Sequence, residues 1–495
     1  MAEYSPTWIK NLFLSQSCID AWDDYQKVLK QGRGGWDYVI LTASNEEQAK
    51  GYRLELSHRR EEGRLARDCV YAVLPDPEGK RVGSGGATFH VLKYLTEQIG
   101  GNAGECLKGK RILVIHSGGD SKRIPQYSVC GKLFSPVPRQ LPDGSLSTLF
   151  DEFMISMTAV AERIKEGMLV LSGDVLLLFN PLQLDFQFQG AAAISIKEPV
   201  STGKDHGVFL QDQEGMVEQF LHKKSEQELK SKGAVNTQGC VDLDTGAVLF
   251  DAMLLQALLG LICTDGKIDE DKYREFVNEK ARVSFYGDFL YPLAKSAALE
   301  DYQKQAPEGS FCEELTECRK KLWEALSGFQ MKVVCLSPAA FIHFGTTKEL
   351  LMLLTERMED YRFLGWEKMI CTNRMEGNFA ARNSFICPDA LVEDGCYLEN
   401  SHVGEGMQVR KAAVLSGAFL TGMEIPEDTV MHVIKLMGGS FAARVYGVTD
   451  NPKGIYEDNA SFLGGGLQDM LDHYKLPTDQ IWDGGQKSLW EAKLY

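Results

Sequence analysis

The amino-acid sequence predicts an α/β protein with a mostly parallel sheet, followed by a C-terminal region built from short strands. Apolar, β-branched runs alternate with helical stretches through the first two-thirds of the chain, a pattern typical of parallel strands covered by helices. From about Asn383 the helical periodicity disappears, and glycines separate isolated apolar residues. Because 495 residues exceed what one hydrophobic core usually accommodates, we expect more than one domain.

The composition is that of a globular protein, with 44% hydrophobic and 25% charged residues. The formal net charge of −16 argues against a general nucleic-acid-binding surface, although local donors can still hold a compact anion. The twelve cysteines include no C-x-x-C pair, which argues against a zinc ribbon or a thioredoxin-type site. Neither a signal-peptide pattern nor a window of about 18 apolar residues occurs, so we expect a cytoplasmic protein without a membrane segment.

The α/β part contains four clear strand signals: "WDYVILTA", "DCVYAVLP", "RILVI" and "GMLVLSGDVLLLF". Ser44 and Asn45 are plausible caps for the charged helix that follows the first strand. A later helix places apolar residues on one face, namely Phe150, Phe153, Met157, Val160 and Ile164. Ligands in such folds bind beyond the carboxyl ends of the strands. The polar residues Ser117–Arg123 and Asp174 fall at such ends.

The C-terminal region shows a short apolar repeat. Leucine or valine recurs every five to seven residues at Leu391, Leu398, Val403, Val409, Val414 and Leu420. This spacing resembles an imperfect hexapeptide-type left-handed β-helix, while a small antiparallel β-domain is the alternative. We therefore expect an α/β domain over 1–380, a β-helix-like domain over 381–450, and a C-terminal tail over 451–495 that packs on the body.

The segment His116–Lys132 concentrates three glycines, three serines, two lysines and an arginine directly behind a strand. Clustered backbone N–H groups bind anions, and nearby Lys and Arg side chains add charge, so the segment predicts a phosphate-binding turn. A Walker A loop is excluded because Leu133 follows Gly131-Lys132, and a dinucleotide fingerprint fails because Gly118-Gly119 lacks a third glycine. A purely structural turn is the alternative.

The order G-G-x-S-x-R, followed after eight intervening residues by Lys, resembles the signature loop of sugar-1-phosphate nucleotidyltransferases. Backbone N–H groups of Gly118, Gly119 and Ser121 would bind a triphosphate. Arg123 would stabilise charge on the leaving pyrophosphate, and Lys132 would hold a phosphate oxygen. Lys122 departs from the pattern at the position before the arginine.

Such a reaction needs a divalent cation, and Mg²⁺ binds one or two carboxylates together with phosphate oxygens and water. Asp174, at the end of a strong strand, is the first candidate metal ligand, with a helix-capping role as the alternative. Asp288, in the apolar context "VSFYGDFLYPLA", is the second candidate, and a surface turn explains it equally well.

A second glycine-rich turn, "GSGGAT", runs into a predicted helix. Gly83, Gly85 and Gly86 would place backbone N–H groups at its N-terminus, which suits a phosphate or the base of a nucleotide. A tight structural turn is the alternative.

Seven motifs in order resemble the GDP-L-fucose pyrophosphorylase (fucose-1-phosphate guanylyltransferase) family: "KRVGSGGAT", "HSGGDSKRIP…GKLFSPVP", "SGDVLL", "HGVF", "DTGAVLFD", "FIHFGTTKEL" and "LWEAKLY". The resemblance covers essentially the whole chain and includes the N-terminal part of bifunctional fucokinase/GDP-fucose pyrophosphorylases. It implies a GT-A-like nucleotidyltransferase core with a C-terminal β-helical part. The implied reaction joins GTP and β-L-fucose 1-phosphate to give GDP-L-fucose and pyrophosphate, with Mg²⁺.

The same resemblance implies residues for the sugar phosphate. Lys223 stands where relatives have a Lys-Pro pair, although Lys224 here replaces the proline. Asp244, Thr245 and Gly246 look like a sugar-facing turn, and His343 like part of a later pocket segment, with a core histidine as its alternative. Relatives normally run on past "SLWEAKLY", so we expect a piece of a longer protein, without kinase activity in these residues.

Two other functions stay open at this stage. A nucleotidyltransferase acting on a different sugar or base would use the same loop. A non-catalytic nucleotide-sugar-binding protein would share the fold, but retention of Arg123, Lys132 and Asp174 argues against it. The oligomeric state is left open.

Overall fold

The computed structural model describes residues 6–32, 34–119, 121–186, 188–204, 206–436, 438–484 and 487–492. The chain divides into two compact units. Unit 1 comprises residues 1–119 and 150–343, and unit 2 comprises residues 120–149 and 344–495. The segment 120–149 belongs with the C-terminal part of the chain, and the domains expected at 1–380, 381–450 and 451–495 stay a prediction.

The α-helices are α1 (Pro6–Gln31), α2 (Glu46–Glu61), α3 (Gly83–Ile99), α4 (Leu149–Ala161), α5 (Val200–Gly203), α6 (Glu226–Ser231), α7 (Ala252–Leu261), α8 (Glu270–Phe276), α9 (Leu299–Gln303), α10 (Glu313–Leu326), α11 (Thr347–Thr355), α12 (Leu467–Tyr474) and α13 (Thr478–Ile481). The strands up to residue 343 are β1 (Tyr38–Ala43), β2 (Val70–Pro75), β3 (Arg111–His116), β4 (Pro136–Gln140), β5 (Leu146–Thr148), β6 (Gly167–Ser172), β7 (Val175–Phe179), β8 (Ala191–Pro199), β9 (Gly207–Gln211), β10 (Val217–His222), β11 (Cys240–Phe250), β12 (Cys263–Thr264), β13 (Lys267–Ile268), β14 (Met331–Leu336) and β15 (Ala339–His343). The later strands are β16 (Met369–Thr372), β17 (Ala380–Ile386), β18 (Leu391–Val392), β19 (Tyr397–Glu399), β20 (His402–Val403), β21 (Gln408–Val409), β22 (Val414–Ser416), β23 (Phe419–Leu420), β24 (Glu424–Ile425), β25 (Thr429–Lys435), β26 (Phe441–Gly447), β27 (Ser461–Phe462) and β28 (Gly465–Gly466).

Unit 1 is built on a nine-stranded mixed sheet. Its parallel part has the order β2-β1-β3-β6, as the alternation of strands and helices predicts. The sheet then continues antiparallel through β11, which also pairs with β8 and β9. The parallel region is therefore confirmed, whereas the strands after residue 190 make the sheet mixed.

Local sequence signals account for several elements of unit 1. The Asn45 side chain accepts a hydrogen bond from the backbone N–H of Gln48 and caps α2. Gly173 and Asp174 separate β6 from β7, and β7 pairs with β15 outside the main sheet. The five residues predicted to share an apolar helix face are all buried, namely Phe150, Phe153, Met157, Val160 and Ile164, although α4 ends at Ala161, before Ile164.

Unit 2 contains a coil of short parallel strands, in three ladders. The ladders are β17-β19-β22-β25, β17-β20-β23 and β18-β21-β24. Successive partners Tyr397, Val414 and Val430 are 17 and 16 residues apart, so one turn of the coil uses three short strands. Parallel pairing excludes the antiparallel alternative for these strands, and the hand of the coil stays a prediction.

The interior of the coil is an apolar cluster that includes Leu398, Val403, Val409 and Leu415. Beyond the coil, a separate small cluster forms around Leu467, Leu471, Ile481, Trp482 and Leu489. Across the described residues of both units, no helix is long and apolar enough to cross a membrane.

Candidate functional site

In unit 1, two polar segments leave the sheet side by side. Because β3 and β6 are parallel neighbours, Ser117–Gly119 and Asp174 emerge at the same edge. Gly173 donates its backbone N–H to the carbonyl oxygen of His116 at 3.0 Å, which holds the two strand ends together. The strand ends thus bring Gly118, Gly119 and Asp174 to one edge of the sheet, as the strand pattern predicts.

In unit 2, Ser121–Lys132 forms a closed loop that carries both predicted cations. Ser121 adopts a left-handed conformation, with φ of 52°, and its Oγ accepts the backbone N–H of Lys132 at 3.2 Å. Lys132 Nζ donates to the carbonyl oxygen of Gly345 at 3.0 Å, and Thr347 donates its backbone N–H to the carbonyl oxygen of Arg123 at 3.1 Å. The Arg123 residue itself is exposed. The loop therefore fixes its backbone and presents an arginine to solvent.

Asp174 has two polar neighbours within unit 1. Ser172 Oγ donates to Asp174 Oδ1 at 2.7 Å, and His343 Nε2 lies 3.7 Å from Asp174 Oδ2. The side chains of Asp174 and His343 are 28% and 27% exposed, so solvent reaches both. The structure thereby brings together two of the predicted site residues. Sequence reasoning did not single out Ser172, although it stands two positions before Asp174 in the same motif.

The predicted turn at Asp244–Gly246 is a bulge inside β11, where the pairing with β8 shifts register. Gly246 has φ of 71°, and a Cβ on it would lie 2.9 Å from Ser172 Cβ, so glycine is required for this close approach. Asp244 Oδ1 accepts the Gly246 backbone N–H at 2.9 Å, and burial raises the pKa of Asp244 to about 6. Thr245, in contrast, is buried and donates its hydroxyl to the carbonyl oxygen of Ile194 at 2.7 Å. The Thr245 hydroxyl thus has a protein acceptor, and a contact of Thr245 with the sugar stays a prediction.

Two aromatic groups adjoin these residues. Tyr286, which the sequence did not single out, donates its hydroxyl to the carbonyl oxygen of Gly246 at 3.1 Å. The His206 ring centroid lies 5.5 Å from that of His343, and the carbonyl oxygen of His206 accepts the backbone N–H of Lys223 at 3.0 Å. Lys223 adopts a left-handed conformation, with φ of 48°. Unit 1 therefore holds two hydrogen-bonded groups, Ser172 with Asp174 and Asp244 with Gly246 and Tyr286. His343 approaches Asp174, and Lys223 is bonded to His206 beside His343.

The glycine-rich turn at Gly83–Gly86 does not fit a ligand-binding helix N-terminus. Gly85 and Gly86 both donate their backbone N–H to the carbonyl oxygen of Val283, at 2.7 and 3.3 Å. Glu308 accepts from both the backbone N–H and the hydroxyl of Ser84. A Cβ on Gly83 or Gly85 would lie 2.4 or 2.9 Å from the oxygen of Val283. Protein groups already occupy this helix N-terminus, so the structural alternative accounts for Gly83, Gly85 and Gly86.

Asp288 also has a structural environment. It is fully buried; its Oδ1 accepts Arg319 Nε at 2.8 Å and its Oδ2 accepts the backbone N–H of Ser284 at 2.7 Å. Burial raises the pKa of Asp288, while Arg319 opposes that shift. Because both carboxylate oxygens already have protein donors, this environment favours a structural role for Asp288 over a role as a metal ligand.

The described residues contain no group of three or more His, Cys, Asp or Glu side chains arranged to hold a metal ion. A Mg²⁺ ion that binds substrate phosphates does not need such a group, because one carboxylate with phosphate oxygens and water completes its shell. Asp174, partly exposed at a strand end, fits that requirement.

Comparison with known proteins gives a single family. The family model described as the fucose pyrophosphorylase domain matches residues 104–495. Over 93% of this chain, the fucose-1-phosphate guanylyltransferases of Homo sapiens and Mus musculus are 26% and 25% identical. The bifunctional fucokinase/GDP-fucose pyrophosphorylase of Arabidopsis thaliana is 24% identical over the same share. The chain spans 81% of the human protein, 83% of the mouse protein and about half, 46%, of the plant protein.

Proposed function

Because this chain belongs to the fucose pyrophosphorylase family, we propose that it forms GDP-L-fucose and pyrophosphate from GTP and β-L-fucose 1-phosphate. A phosphate oxygen of the sugar 1-phosphate attacks the α-phosphorus of GTP, and the bond from that phosphorus to the bridging oxygen of the β-phosphate breaks. The name of the human and mouse relatives, fucose-1-phosphate guanylyltransferase, supports the assignment. We further propose a GT-A-like core and a left-handed coil, supported by the parallel strands of unit 1 and the three parallel ladders of unit 2.

The observation that carries this proposal is the loop Ser121–Lys132, which carries the side chains of Arg123 and Lys132 on a backbone fixed by internal hydrogen bonds. Arg123 is assigned to the leaving pyrophosphate, whose charge grows in the transition state, and Lys132 to an oxygen of the transferred phosphate. Gly118 and Gly119, at the end of β3, are assigned to the triphosphate through their backbone N–H groups. Alignment and charge stabilisation suffice, since phosphoryl chemistry of this kind requires no covalent enzyme intermediate.

Asp174 is proposed to hold Mg²⁺, and Ser172 orients its carboxylate. The ion, when bound, supplies positive charge to phosphate oxygens. Lys223, Asp244, Gly246 and His343 are proposed to face the sugar phosphate. The proposal is supported by the approach of His343 to Asp174, by the close packing of Gly246 on Ser172, and by the bond from Lys223 to His206 beside His343.

The test is pyrophosphate release with Mg²⁺, crossing four nucleoside triphosphates with a panel of hexose 1-phosphates that includes fucose 1-phosphate. Turnover confined to GTP with fucose 1-phosphate would support the proposal. A different preferred pair would keep the chemistry and replace the substrate. Absence of turnover, with GDP-fucose still bound in calorimetry, would favour a non-catalytic nucleotide-sugar-binding protein.

The stereochemistry gives a second check. Direct in-line attack inverts the configuration at the α-phosphorus, so a chiral α-thiophosphate analogue of GTP should give an inverted product. Net retention would indicate two displacements and an enzyme-bound intermediate.

A further inference from the structure

One ladder of the coil in unit 2 carries polar side chains where the neighbouring positions are apolar. Five residues stand next to one another on the consecutive strands β17, β19, β22, β25 and β26: Arg382, Glu399, Ser416, His432 and Arg444. We call this row the polar column. The first four are buried, with Glu399 only 1% exposed. Since buried polar groups cost free energy unless they are hydrogen-bonded, their partners indicate what the column holds.

The central partner of the column is a tyrosine of the loop Ser121–Lys132. Glu399 Oε2 accepts hydrogen bonds from the hydroxyl groups of Tyr127, at 2.7 Å, and Tyr397, at 2.8 Å. Glu399 Oε1 accepts Ser416 Oγ at 2.6 Å. Tyr127 and Tyr397 are both buried, so water does not compete for the carboxylate. Tyr127 lies four positions after Arg123 and five before Lys132, whereas Tyr397 lies on β19 beside Glu399 itself.

A second member of the column contacts the same segment of chain, and a third contacts a residue farther along. Arg444 Nη2 donates to the carbonyl oxygen of Pro125 at 2.9 Å and to Ser128 Oγ at 2.7 Å. Arg382 Nη2 donates to the carbonyl oxygen of Ser147 at 3.1 Å. The column therefore contacts residues 125–128 at three atoms. The Tyr127 hydroxyl donates to the column, and the Pro125 carbonyl oxygen and Ser128 Oγ accept from it.

We infer that the polar column positions the loop Ser121–Lys132, with Glu399 acting on it through Tyr127. This inference rests on the proposed function, because it assigns the loop a task that requires exact placement. Two cations directed at a transferring phosphate lose much of their effect when displaced by about 1 Å. Three hydroxyl groups converge on the two carboxyl oxygens of Glu399, and together they fix the geometry at this buried side chain. Glu399 is thus a positioning residue, remote in sequence from the loop that it holds.

The chain offers a matched pair of variants to test this. Tyr127→Phe and Tyr397→Phe each remove one buried hydroxyl donor from Glu399 Oε2, but only Tyr127 belongs to the loop. We expect both variants to lose similar thermal stability. Only Tyr127→Phe should increase amide hydrogen exchange across residues 121–132 and lower kcat about tenfold or more. Glu399→Gln added to Tyr127→Phe should then lower kcat by less than it does in the wild-type background.

Hydrogen exchange is measured without the reaction. It therefore tests the inference independently of the proposed function. A wild-type protein without pyrophosphate release would overturn the proposed function, while exchange would still decide whether the column holds the loop. Equal loop exchange in the two phenylalanine variants would overturn the inference. If Tyr127→Phe does not fold, Ser128→Ala tests the same column through Arg444, and unchanged loop exchange in that variant would also overturn it.

Discussion

The imidazole Nε2 of His343 lies 3.7 Å from Oδ2 of Asp174, with Ser172 bonded to the other carboxylate oxygen. The pairing of β15 with β7 produces this approach, because it sets His343 opposite Val175, the residue after Asp174. A carboxylate held in this way by two side chains is oriented before any ligand arrives.

Asp174→Asn should lower turnover by about a hundredfold or more at saturating substrate, because an amide is a poor ligand for Mg²⁺. Melting temperature should stay near that of the wild type, since the side chain is partly exposed. Steady-state pyrophosphate release over a Mg²⁺ titration measures the effect. Asp271→Asn, at a side chain that is 97% exposed, is the control and should behave as wild type. Wild-type turnover in Asp174→Asn would remove Asp174 from the metal site.

Arg123→Ala should abolish measurable turnover while leaving the fold intact, because its exposed guanidinium is assigned to the leaving pyrophosphate. The neighbouring Lys122→Ala is the matched control. Lys122 pairs with Glu491 at 3.4 Å and lies over the Trp490 ring, so its loss should affect stability more than turnover. Circular dichroism and initial rates compare the two variants, and equal rates would refute the assignment of Arg123.

Asp288→Asn should destabilise the protein by about 3–5 kcal/mol, because it leaves the guanidinium of Arg319 buried without its charged partner. Urea denaturation measures this loss. The Mg²⁺ dependence of the folded enzyme should not change. A weakened Mg²⁺ response without lost stability would instead restore Asp288 as a ligand.

Gly85→Ala should cost about 1–3 kcal/mol of stability, because its Cβ would approach Val283 Cγ1 and O to 2.8 and 2.9 Å. The KM for GTP should not change in the folded protein. Gly51→Ala is the control: no atom lies within 4 Å of its added Cβ, and alanine in a helix should stabilise by about 1 kcal/mol. A raised KM for GTP at unchanged stability would instead indicate that this turn contacts the nucleotide.

Asp244→Asn should gain stability relative to the wild type as the pH rises from about 4 to about 6. Burial raises the folded-state pKa of Asp244 to about 6, whereas the unfolded chain ionises near 4, so the wild type loses stability across that window. The full difference above pH 6 is of the order of 3 kcal/mol. Chemical denaturation of both proteins at several pH values measures it. A difference that does not vary with pH would contradict the shifted pKa.

Sequence reasoning succeeded where the deciding neighbours are close in the chain or follow from strand order. The placement of Gly118, Gly119 and Asp174 at adjacent strand ends needed only two apolar runs and the rule for parallel sheets. The apolar repeat after residue 390 likewise indicated stacked short strands.

Sequence reasoning failed where a residue distant in the chain decides the environment of a candidate site residue. The turn at Gly85 looks like an anion site until Val283 and Glu308 occupy its N–H groups, and Asp288 looks like a ligand until Arg319 is placed beside it. The same limit hid Glu399, because nothing near Tyr127 in the sequence indicates a carboxylate that follows it by 272 positions.

Unit 2 is made of two chain segments that are far apart in the sequence, which has a consequence for folding during synthesis. Residues 120–149 leave the ribosome long before their partners in the coil, since all of residues 150–343 must be translated first. At about 5–20 residues per second, the cation-bearing loop waits for about 10 to 40 s before translation even reaches residue 344, the start of the second part of its unit. Nascent chains stalled before Glu399 should therefore expose this loop to proteases, and chains stalled well after Arg444 should protect it.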